Sequence, residues 1–320
     1  MRFSVAAALV AVVVLAGCAA EPTPTPDAGP IEPPARVFDG DCTALFADAA
    51  LSDALGRTLA GSSVTDGVYP ARALVEQHGG LRCGWGTADF STVVYVIAVP
   101  AGVVTIPEDE SCGTIGSGAS TCTIDATSNG IRVSGIVATT AADTPALLKD
   151  VAAVEALFAT TATAERAVPA PIQSDAAWAT PADCSGVLND VDFAAEFRVT
   201  DSFSWLDAPD TGAYFPPVER ALWGGHASPT CSIASDNPDA FYGIDFSVLG
   251  GGIWTKDAVA SQTGTTLVTV DGFDTVYETP SEGFTTIDVF DGVNWFETFA
   301  AEPAAMYPMI RKIVASLNAR

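Results

Sequence analysis

The sequence predicts an α+β protein of two duplicated domains, each a mainly antiparallel sheet with helices packed on one face. The main observation is a repeated pattern, R-A-L-x-x-x-H-x-x-x-x-C, which occurs at 72–83 and again at 220–231. The chain has 2 histidines, and both stand in this pattern, five residues before a cysteine. A repeat with fixed internal spacing indicates duplication of one structural unit.

Two further matches flank the repeated pattern. Upstream, Asp41-Cys42 corresponds to Asp183-Cys184, and downstream, Asn129-Gly130 corresponds to Asp291-Gly292. Each downstream pair lies between strand-like runs, and Asn-Gly favours a type I′ hairpin turn. Because the matches occur in the same order in both copies, we predict one fold twice, with helices covering an antiparallel sheet.

In the first copy, the patterns predict two helices, three strands and a terminal helix, in that order. The terminal helix begins at Asp143-Thr144-Pro145, where capping residues precede a proline in the first turn. Apolar residues from Leu147 to Phe158 recur at helical spacing and predict its buried face. The other predicted ranges are 43–59 and 71–77 for helices, and 92–99, 123–126 and 131–139 for strands.

The second copy has an equivalent pattern of strands and a terminal helix. Pro303 begins the last helix, whose apolar residues again recur at helical spacing. Turns are predicted at Asp271-Gly272, at Pro280–Gly283, where proline would stiffen the turn, and at Asp291-Gly292. The predicted strands are 242–249, 267–270, 273–278, 284–290 and 293–299, and the inward residues of the helix are Met306, Met309, Ile310, Ile313 and Leu317.

The charge of the chain excludes one class of partner. Its formal net charge is −25, and it has only three lysines, Lys149, Lys256 and Lys312. Nucleic-acid binding depends on basic residues that neutralise phosphates, so we expect no nucleic-acid partner. Acidic charge favours solubility and attracts cations or basic partners.

The N-terminus has the features of an export signal. Arg2 precedes an apolar run from Val5 to Ala16, and Leu15-Ala16-Gly17-Cys18 follows. This segment resembles the signal peptide and lipobox of bacterial lipoproteins, which implies that Cys18 is lipidated and becomes the first residue of the mature protein. The run is shorter than the roughly 20 residues of a membrane span. An uncleaved N-terminal anchor is the alternative, and both place the protein on the extracytoplasmic face of the cell membrane.

Composition divides the chain into five segments. Residues 1–17 form the predicted signal peptide, and 18–38 the lipidated cysteine with a Pro-rich stalk. The first repeat is predicted at 39–161, an Ala/Pro linker at 162–180 and the second repeat at 181–320. A lipobox and stalk followed by paired-cysteine α+β domains resemble actinobacterial lipoproteins of unknown function. The resemblance supplies no catalytic residues.

The cysteines other than Cys18 are predicted to form disulfides. There are six, and an even number in an exported protein indicates disulfides, although six cysteines allow 15 pairings. The repeat assigns Cys42–Cys83 and Cys184–Cys231 as equivalent bridges and leaves Cys112 to pair with Cys122. A different pairing, or free thiols, remains the alternative.

Catalytic motifs are absent from the sequence. It has no G-x-S-x-G, Walker A, H-E-x-x-H or C-x-x-C motif, and the acidic run 108–110 does not have EF-hand spacing. His78 and His226 could bind metal or titrate near neutral pH. Alternatively, His78 only closes a helix beside Gly79-Gly80. We therefore predict no catalytic residues, no metal and no cofactor.

An excess of aromatic residues distinguishes the second copy. Trp205, Tyr214 and Phe215 lie in a turn-rich stretch, 202–217, which has no equivalent in the first copy. Aromatic side chains on loops are typical of binding sites, so these three are predicted to contact a ligand. The alternative is that the second copy has a larger core.

Three hypotheses about function result from the sequence. The first is a non-enzymatic binding or accessory lipoprotein of the cell envelope, whose partner is an envelope protein or glycan. Its ligand would lie between the domains or on the aromatic stretch. The second is an envelope hydrolase with an acidic site, and the third is a purely structural surface protein.

Overall fold

Two antiparallel sheets organise the part of the chain that the computed structural model describes. All the described residues belong to one compact unit. We call residues 33–161 the first half and residues 177–319 the second half. The described residues are 33–62, 68–105, 112–114, 118–140, 144–161, 177–178, 199–204, 217–218, 221–222, 231–235 and 243–319.

The first half contains a six-stranded sheet in which all neighbouring strands are antiparallel. Asn129 and Gly130 join its two longest hairpin strands with φ values of 46° and 75°, as a type I′ turn requires. The strands, in the spatial order β1-β2-β3-β6-β5-β4, are β1 Ala60–Ser62, β2 Leu81–Gly86, β3 Thr92–Pro100, β4 Cys112–Thr114, β5 Ser120–Ser128 and β6 Ile131–Thr139.

The second half contains a seven-stranded sheet, which is also antiparallel throughout. The spatial order is β10-β11-β12-β13-β9-β8-β7. The strands are β7 Val199–Ser204, β8 Cys231–Ser235, β9 Gly243–Leu249, β10 Thr266–Val268, β11 Thr275–Ser281, β12 Phe284–Asp291 and β13 Asn294–Ala300.

The two sheets have the same strand order, which confirms the predicted duplication. The series β1-β2-β3-β6-β5-β4 corresponds to β7-β8-β9-β13-β12-β11, and β10 has no counterpart among the described strands of the first half. The repeated cysteines occupy equivalent strands: Cys83 in β2 lies opposite Val96 in β3, and Cys231 in β8 lies opposite Phe246 in β9. The fold class is therefore α+β with two duplicated antiparallel domains.

The predicted helices are present in the predicted order with one correction, and the short helix Lys256–Ala260 comes in addition to them. The helix predicted at 43–59 is two helices, because Phe46 adopts an extended backbone (φ −137°, ψ 113°) between them. This break turns the ring of Phe46 into the core against Trp85, with ring centroids 5.5 Å apart. The α-helices are α1 Cys42–Leu45, α2 Asp48–Leu55, α3 Pro70–Gln77, α4 Thr144–Thr161, α5 Lys256–Ala260 and α6 Pro303–Asn318, and short 3₁₀ helices lie at Val37–Gly40 and Gly252–Thr255.

The terminal helix of each half covers the outer face of its sheet. In the first half, Leu147, Val151, Val154 and Phe158 of α4 are buried, as predicted. The inward residues predicted for α6 are also all buried, because the 3.6-residue period places them on one side of the helix.

A third hydrophobic cluster, which we call the middle cluster, lies between the two sheets. Side chains alternate across a strand, so β3 sends Val96 to the outer core and Ile97 to the middle cluster. From the second half, Leu249, Phe290 and Trp295 enter the same cluster. The inner faces of the two halves are therefore packed together through an apolar layer.

Contacts across the middle cluster are reciprocal. Helix α3 of the first half packs against β9 and β13 of the second sheet. In return, the backbone N–H of Val218 donates to Ser134 Oγ in β6 at 3.4 Å, and Val218 and Leu222 are buried in the middle cluster. Strand β6 is the counterpart of β13, so each half contacts the equivalent strand of the other.

Two turns of the second sheet differ from prediction. Pro280 lies inside β11, opposite Thr285, and the hairpin loop is Glu282-Gly283. In the described sheet, the short strand β10 pairs with residues 276–278 of β11. Pro280 lies beyond this pairing, on an open edge of β11, where the missing backbone N–H of proline costs no hydrogen bond to a neighbouring strand. The next loop is Gly292-Val293, one residue later than the predicted Asp291-Gly292.

Packing extends into both segments that composition separates from the repeats. Val37 and Phe38, at the end of the predicted stalk, are buried in the first outer core. Trp178, within the predicted linker, is buried in the second, and its indole N–H donates to Asn318 Oδ1 at 2.6 Å. Within the described residues, no helix has the length and apolar character needed to cross a membrane.

Candidate functional site

The structure tests some of the predicted site residues and does not include others. The Cys42–Cys83 and Cys112–Cys122 disulfides are present as predicted. Cys231 is also disulfide-bonded. Its predicted partner Cys184, the lipidation residue Cys18 and the predicted ligand residues Trp205, Tyr214 and Phe215 lie outside the described residues.

The inner face of the second sheet has a row of polar side chains that crosses four strands. Strand pairing places Tyr277 of β11 opposite Asp288 of β12, Asp288 opposite Glu297 of β13, and Glu297 opposite Ser247 of β9. Asp288 is two positions from Phe290 and Glu297 is two positions from Trp295, so both lie on the same face as the middle cluster. Tyr277 and Ser247 lie directly opposite them and share this face. An acidic pair therefore stands at the edge of an apolar layer.

Asp288 is the most buried carboxyl group of this row. It is 2% exposed, and its Oδ1 accepts a hydrogen bond from Trp295 Nε1 at 2.9 Å. Burial raises the pKa of Asp288 to about 7, although the bond from Trp295 opposes the rise. The protonated form of this residue is therefore well populated near neutral pH.

Glu297 lies directly across from Asp288 and keeps partial exposure to solvent. Burial, and then the charge of Asp288, raise the pKa of Glu297 well above its usual value. Two carboxyl groups that face each other in this way favour the state in which one is protonated and the other ionised. Such a pair can donate and accept a proton, which is the chemistry of general acid–base catalysis.

Two exposed aromatic rings lie farther along the same face. Phe284 is 42% exposed and Phe299 is 47% exposed, and their ring centroids are 5.7 Å apart. Phe284 has the parity of Asp288 in β12, and Phe299 has the parity of Glu297 in β13. We call Phe284, Phe299, Asp288 and Glu297 together the acidic–aromatic face.

The acidic–aromatic face is not apparent from tryptophan content or loop composition, because it depends on the parity of residues along two strands. The alternation of β12 contained the signal: Ile287 and Val289 point towards α6, which leaves Phe284 and Asp288 on the opposite face. The tryptophans of the second half that the structure describes have other roles. Trp295 is fully buried, and Trp254 Nε1 donates to Gln77 Oε1 of the first half at 3.4 Å.

His78 occupies the position that the helix-closing interpretation requires. It is the C-cap residue of α3, and its Nδ1 lies 2.9 Å from the carbonyl oxygen of Leu74. Gly79 follows with φ 74°, a left-handed conformation typical of the residue that ends a helix. Its counterpart His226 lies outside the described residues.

Metal ligands do not converge anywhere in the described part of the chain. Those residues contain no group of three or more His, Cys, Asp or Glu side chains that could hold a metal ion. The acidic run 108–110 is not among them. The acidic–aromatic face itself supplies two carboxylates, fewer than the ligand sets that proteins use for calcium or zinc.

Comparisons with known proteins do not assign the chain to a family. No family model matches it, and no curated protein matches it. Among solved structures, it was compared with the crystal structure of the di-domain ARO/CYC StfQ from the steffimycin biosynthetic pathway. That comparison covers 82% of this chain and 93% of the other at 10% sequence identity, with a TM-score of 0.15. A likeness at this level supports no inference about fold or function.

Proposed function

We propose that this protein is a lipid-anchored accessory module of the cell envelope, which binds an envelope protein or glycan on the extracytoplasmic side. The observation that supports the binding role is the pair of exposed rings, Phe284 and Phe299, on one face of the second sheet. The lipobox ending at Cys18 carries the anchoring, and the disulfides agree with an oxidising compartment.

The position of the two rings supports binding in preference to packing. Aromatic side chains contribute large apolar area with few rotatable bonds, and they are enriched where partners meet. Phe284 and Phe299 are held by paired strands, so little conformational entropy is lost when a ligand covers them. The predicted contacts Trp205, Tyr214 and Phe215 belong to the same proposal, as further aromatics of the second half.

The test of binding compares a double variant with a matched control. The full chain, in detergent, is used to capture cross-linked partners from solubilised envelopes and, separately, to probe immobilised envelope glycans. Phe284→Ala/Phe299→Ala is expected to reduce capture at least tenfold in one of the two assays. The assay that is affected shows whether the partner is a protein or a glycan. Phe90→Ala removes a ring that is 72% exposed in the first half, and it should leave capture unchanged.

Two further results complete this test. Trp205→Ala is expected to weaken capture without lowering the melting temperature much, since the proposal places it on the surface. Equal capture by the wild type and by the Phe284/Phe299 variant would refute binding through this face. Anchoring is tested separately by palmitate labelling, which Cys18→Ser should abolish.

The acidic pair favours a second candidate function, envelope hydrolysis. The pKa values of Asp288 and Glu297 are both raised, and facing carboxyl groups of this kind serve acid–base hydrolases when one is protonated and the other ionised. However, Asp288 is 2% exposed, so the partly exposed Glu297 would be the member of the pair that contacts a substrate. Turnover of glycoside or ester substrates that Glu297→Gln abolishes would support this candidate in preference to binding alone.

A further inference from the structure

The Cys112–Cys122 disulfide lies at the edge of the first sheet. Cys112 in β4 pairs directly opposite Cys122 in β5, and all three residues of β4 are exposed. Each bridge has one fully buried cysteine, Cys122 or Cys83, but Cys112 is exposed whereas Cys42 is half-buried against the first outer core. The two bridges of the first half therefore differ in their access to other molecules.

A cavity of about 170 Å³ opens beside the exposed bridge. Both cysteines line it, and helix α4 forms its opposite wall. Leu148 on that wall is 47% exposed, although the rest of the apolar side of α4 packs inward. The cavity thus offers an apolar surface directly next to the exposed residue Cys112. The remaining lining residues are Thr123, Val151, Ala152 and Glu155.

We propose that Cys112–Cys122 is a thiol–disulfide exchange site, at which a dithiol protein of the cell envelope docks against Leu148 and reduces the bond. A thiolate of the partner attacks Cys112 Sγ, which forms a mixed disulfide and breaks the Cys112–Cys122 bond. Cys122 leaves as a thiolate and takes up a proton. The second thiol of the partner then attacks its own sulfur in the mixed disulfide, so that Cys112 is released. The partner is oxidised to a disulfide, and this protein gains two electrons and two protons.

The fold tolerates loss of this bond. Among the described strands, β4 pairs with β5 alone, through three residue pairs, so its release leaves the β5–β6 hairpin intact. Cys122 stays buried within the first outer core as a thiol, which behaves as a small apolar residue. Reduction therefore frees the outer edge of β5 without unfolding the half to which it belongs.

The acidic charge around the cavity restricts which partner proteins can approach it. Glu155 lines the cavity, and the whole chain has a net charge of −25. Approach of a partner whose surface is acidic around the dithiol is disfavoured, whereas a basic surface there is attracted. The partner's dithiol should accordingly be surrounded by neutral or basic residues.

The first test uses the second bridge as an internal control. The purified full chain, in detergent, is treated with dithiothreitol for increasing times, and free thiols are alkylated and located by mass spectrometry. Cys112 and Cys122 are expected to be labelled at least tenfold faster than Cys42 and Cys83, with the melting transition still present. Labelling of both bridges at the same rate, or of Cys42 and Cys83 first, would overturn the proposal and leave the bond as a structural staple.

The second test separates docking from simple accessibility. Leu148→Ser is expected to slow reduction by a thioredoxin at least threefold and to leave reduction by dithiothreitol unchanged. Leu267→Ser is the matched control, because Leu267 is 68% exposed on the other half. It should change neither rate. If Leu148→Ser leaves the thioredoxin rate unaltered, the cavity is no docking site and the proposal fails.

Discussion

Gln77 at the end of α3 donates a hydrogen bond from Nε2 to the carbonyl oxygen of Gly250 at 3.0 Å, across the boundary between the two halves. Its Oε1 accepts the bond from Trp254, so one buried amide satisfies groups on two segments of the second half. A polar side chain placed in this way fixes how the halves align on the apolar middle cluster.

Gln77→Ala should therefore destabilise the protein by about 1–3 kcal/mol, because the half-buried Gly250 carbonyl and Trp254 indole N–H both lose their partner. Gln262→Ala is the control: Gln262 Nε2 also reaches across, to Val68 O at 3.3 Å, but the side chain is half-buried and water can replace it. Denaturant unfolding should give a clearly larger loss for Gln77. Equal losses would show that burial of the amide is unimportant.

The stability of the protein should fall as the pH rises from about 4 to 7. The folded pKa of Asp288 is about 7, compared with 3.8 as the usual value, so the folded state binds an extra proton in this window. At about 1.4 kcal/mol per pKa unit, the loss amounts to at most roughly 4 kcal/mol. Above pH 7, this contribution is constant.

Asp288→Asn checks the origin of that slope, because asparagine stays neutral and still accepts from Trp295. Free energies of unfolding measured at pH 5 and pH 8 should differ less in the variant than in the wild type. The variant should also be the more stable of the two at pH 8. If the two proteins lose the same free energy between these values, Asp288 does not ionise within this window.

The long disulfide should stabilise more than the short one. Cys42–Cys83 closes a separation of 41 residues and Cys112–Cys122 one of 10, so the chain-entropy estimates are about 4 and about 3 kcal/mol. Cys42→Ser/Cys83→Ser should lower the melting temperature more than Cys112→Ser/Cys122→Ser. If calorimetry shows the larger decrease for Cys112→Ser/Cys122→Ser, this account is wrong. The same reasoning predicts that loss of Cys184 is more harmful than loss of Cys112.

Close strand contact makes Gly135 irreplaceable. A Cβ at this position in β6 would lie 2.2 Å from the backbone carbonyl oxygen of Tyr95, which cannot move without disturbing β3. Gly135→Ala should lower the free energy of unfolding by about 1–3 kcal/mol through overpacking. Gly113→Ala, in β4 of the same sheet, meets no atom within 4 Å and should be nearly neutral in urea unfolding. A neutral result for Gly135 would contradict the strand spacing.

The duplication and most of the strands could be predicted because they depend on local patterns. Ile131–Thr139, for example, is rich in β-branched residues and follows an Asn-Gly turn, and its predicted and observed bounds agree. The break at Phe46 could not be predicted, because only its tertiary contact with Trp85 overrides helix formation there. Likewise, Pro280 sits in a strand only because the short β10 leaves that position unpaired.

The acidic–aromatic face was harder to predict than the fold. Asp288 and Glu297 are nine residues apart, and they meet only because the Gly292-Val293 loop sets the register of their strands. Shifting that register by one residue would turn one of the two towards α6. Composition offered many acidic residues and no reason to choose these two.

The reciprocal contacts between the halves resemble those of a two-fold symmetric homodimer, in which each copy presents the same patch to the other. Joining the copies in one chain makes their association independent of protein concentration. It also frees the two patches from having to remain identical. Among the described residues, strand β10 and the acidic–aromatic face are found in the second half alone, a difference that a homodimer of identical chains cannot encode.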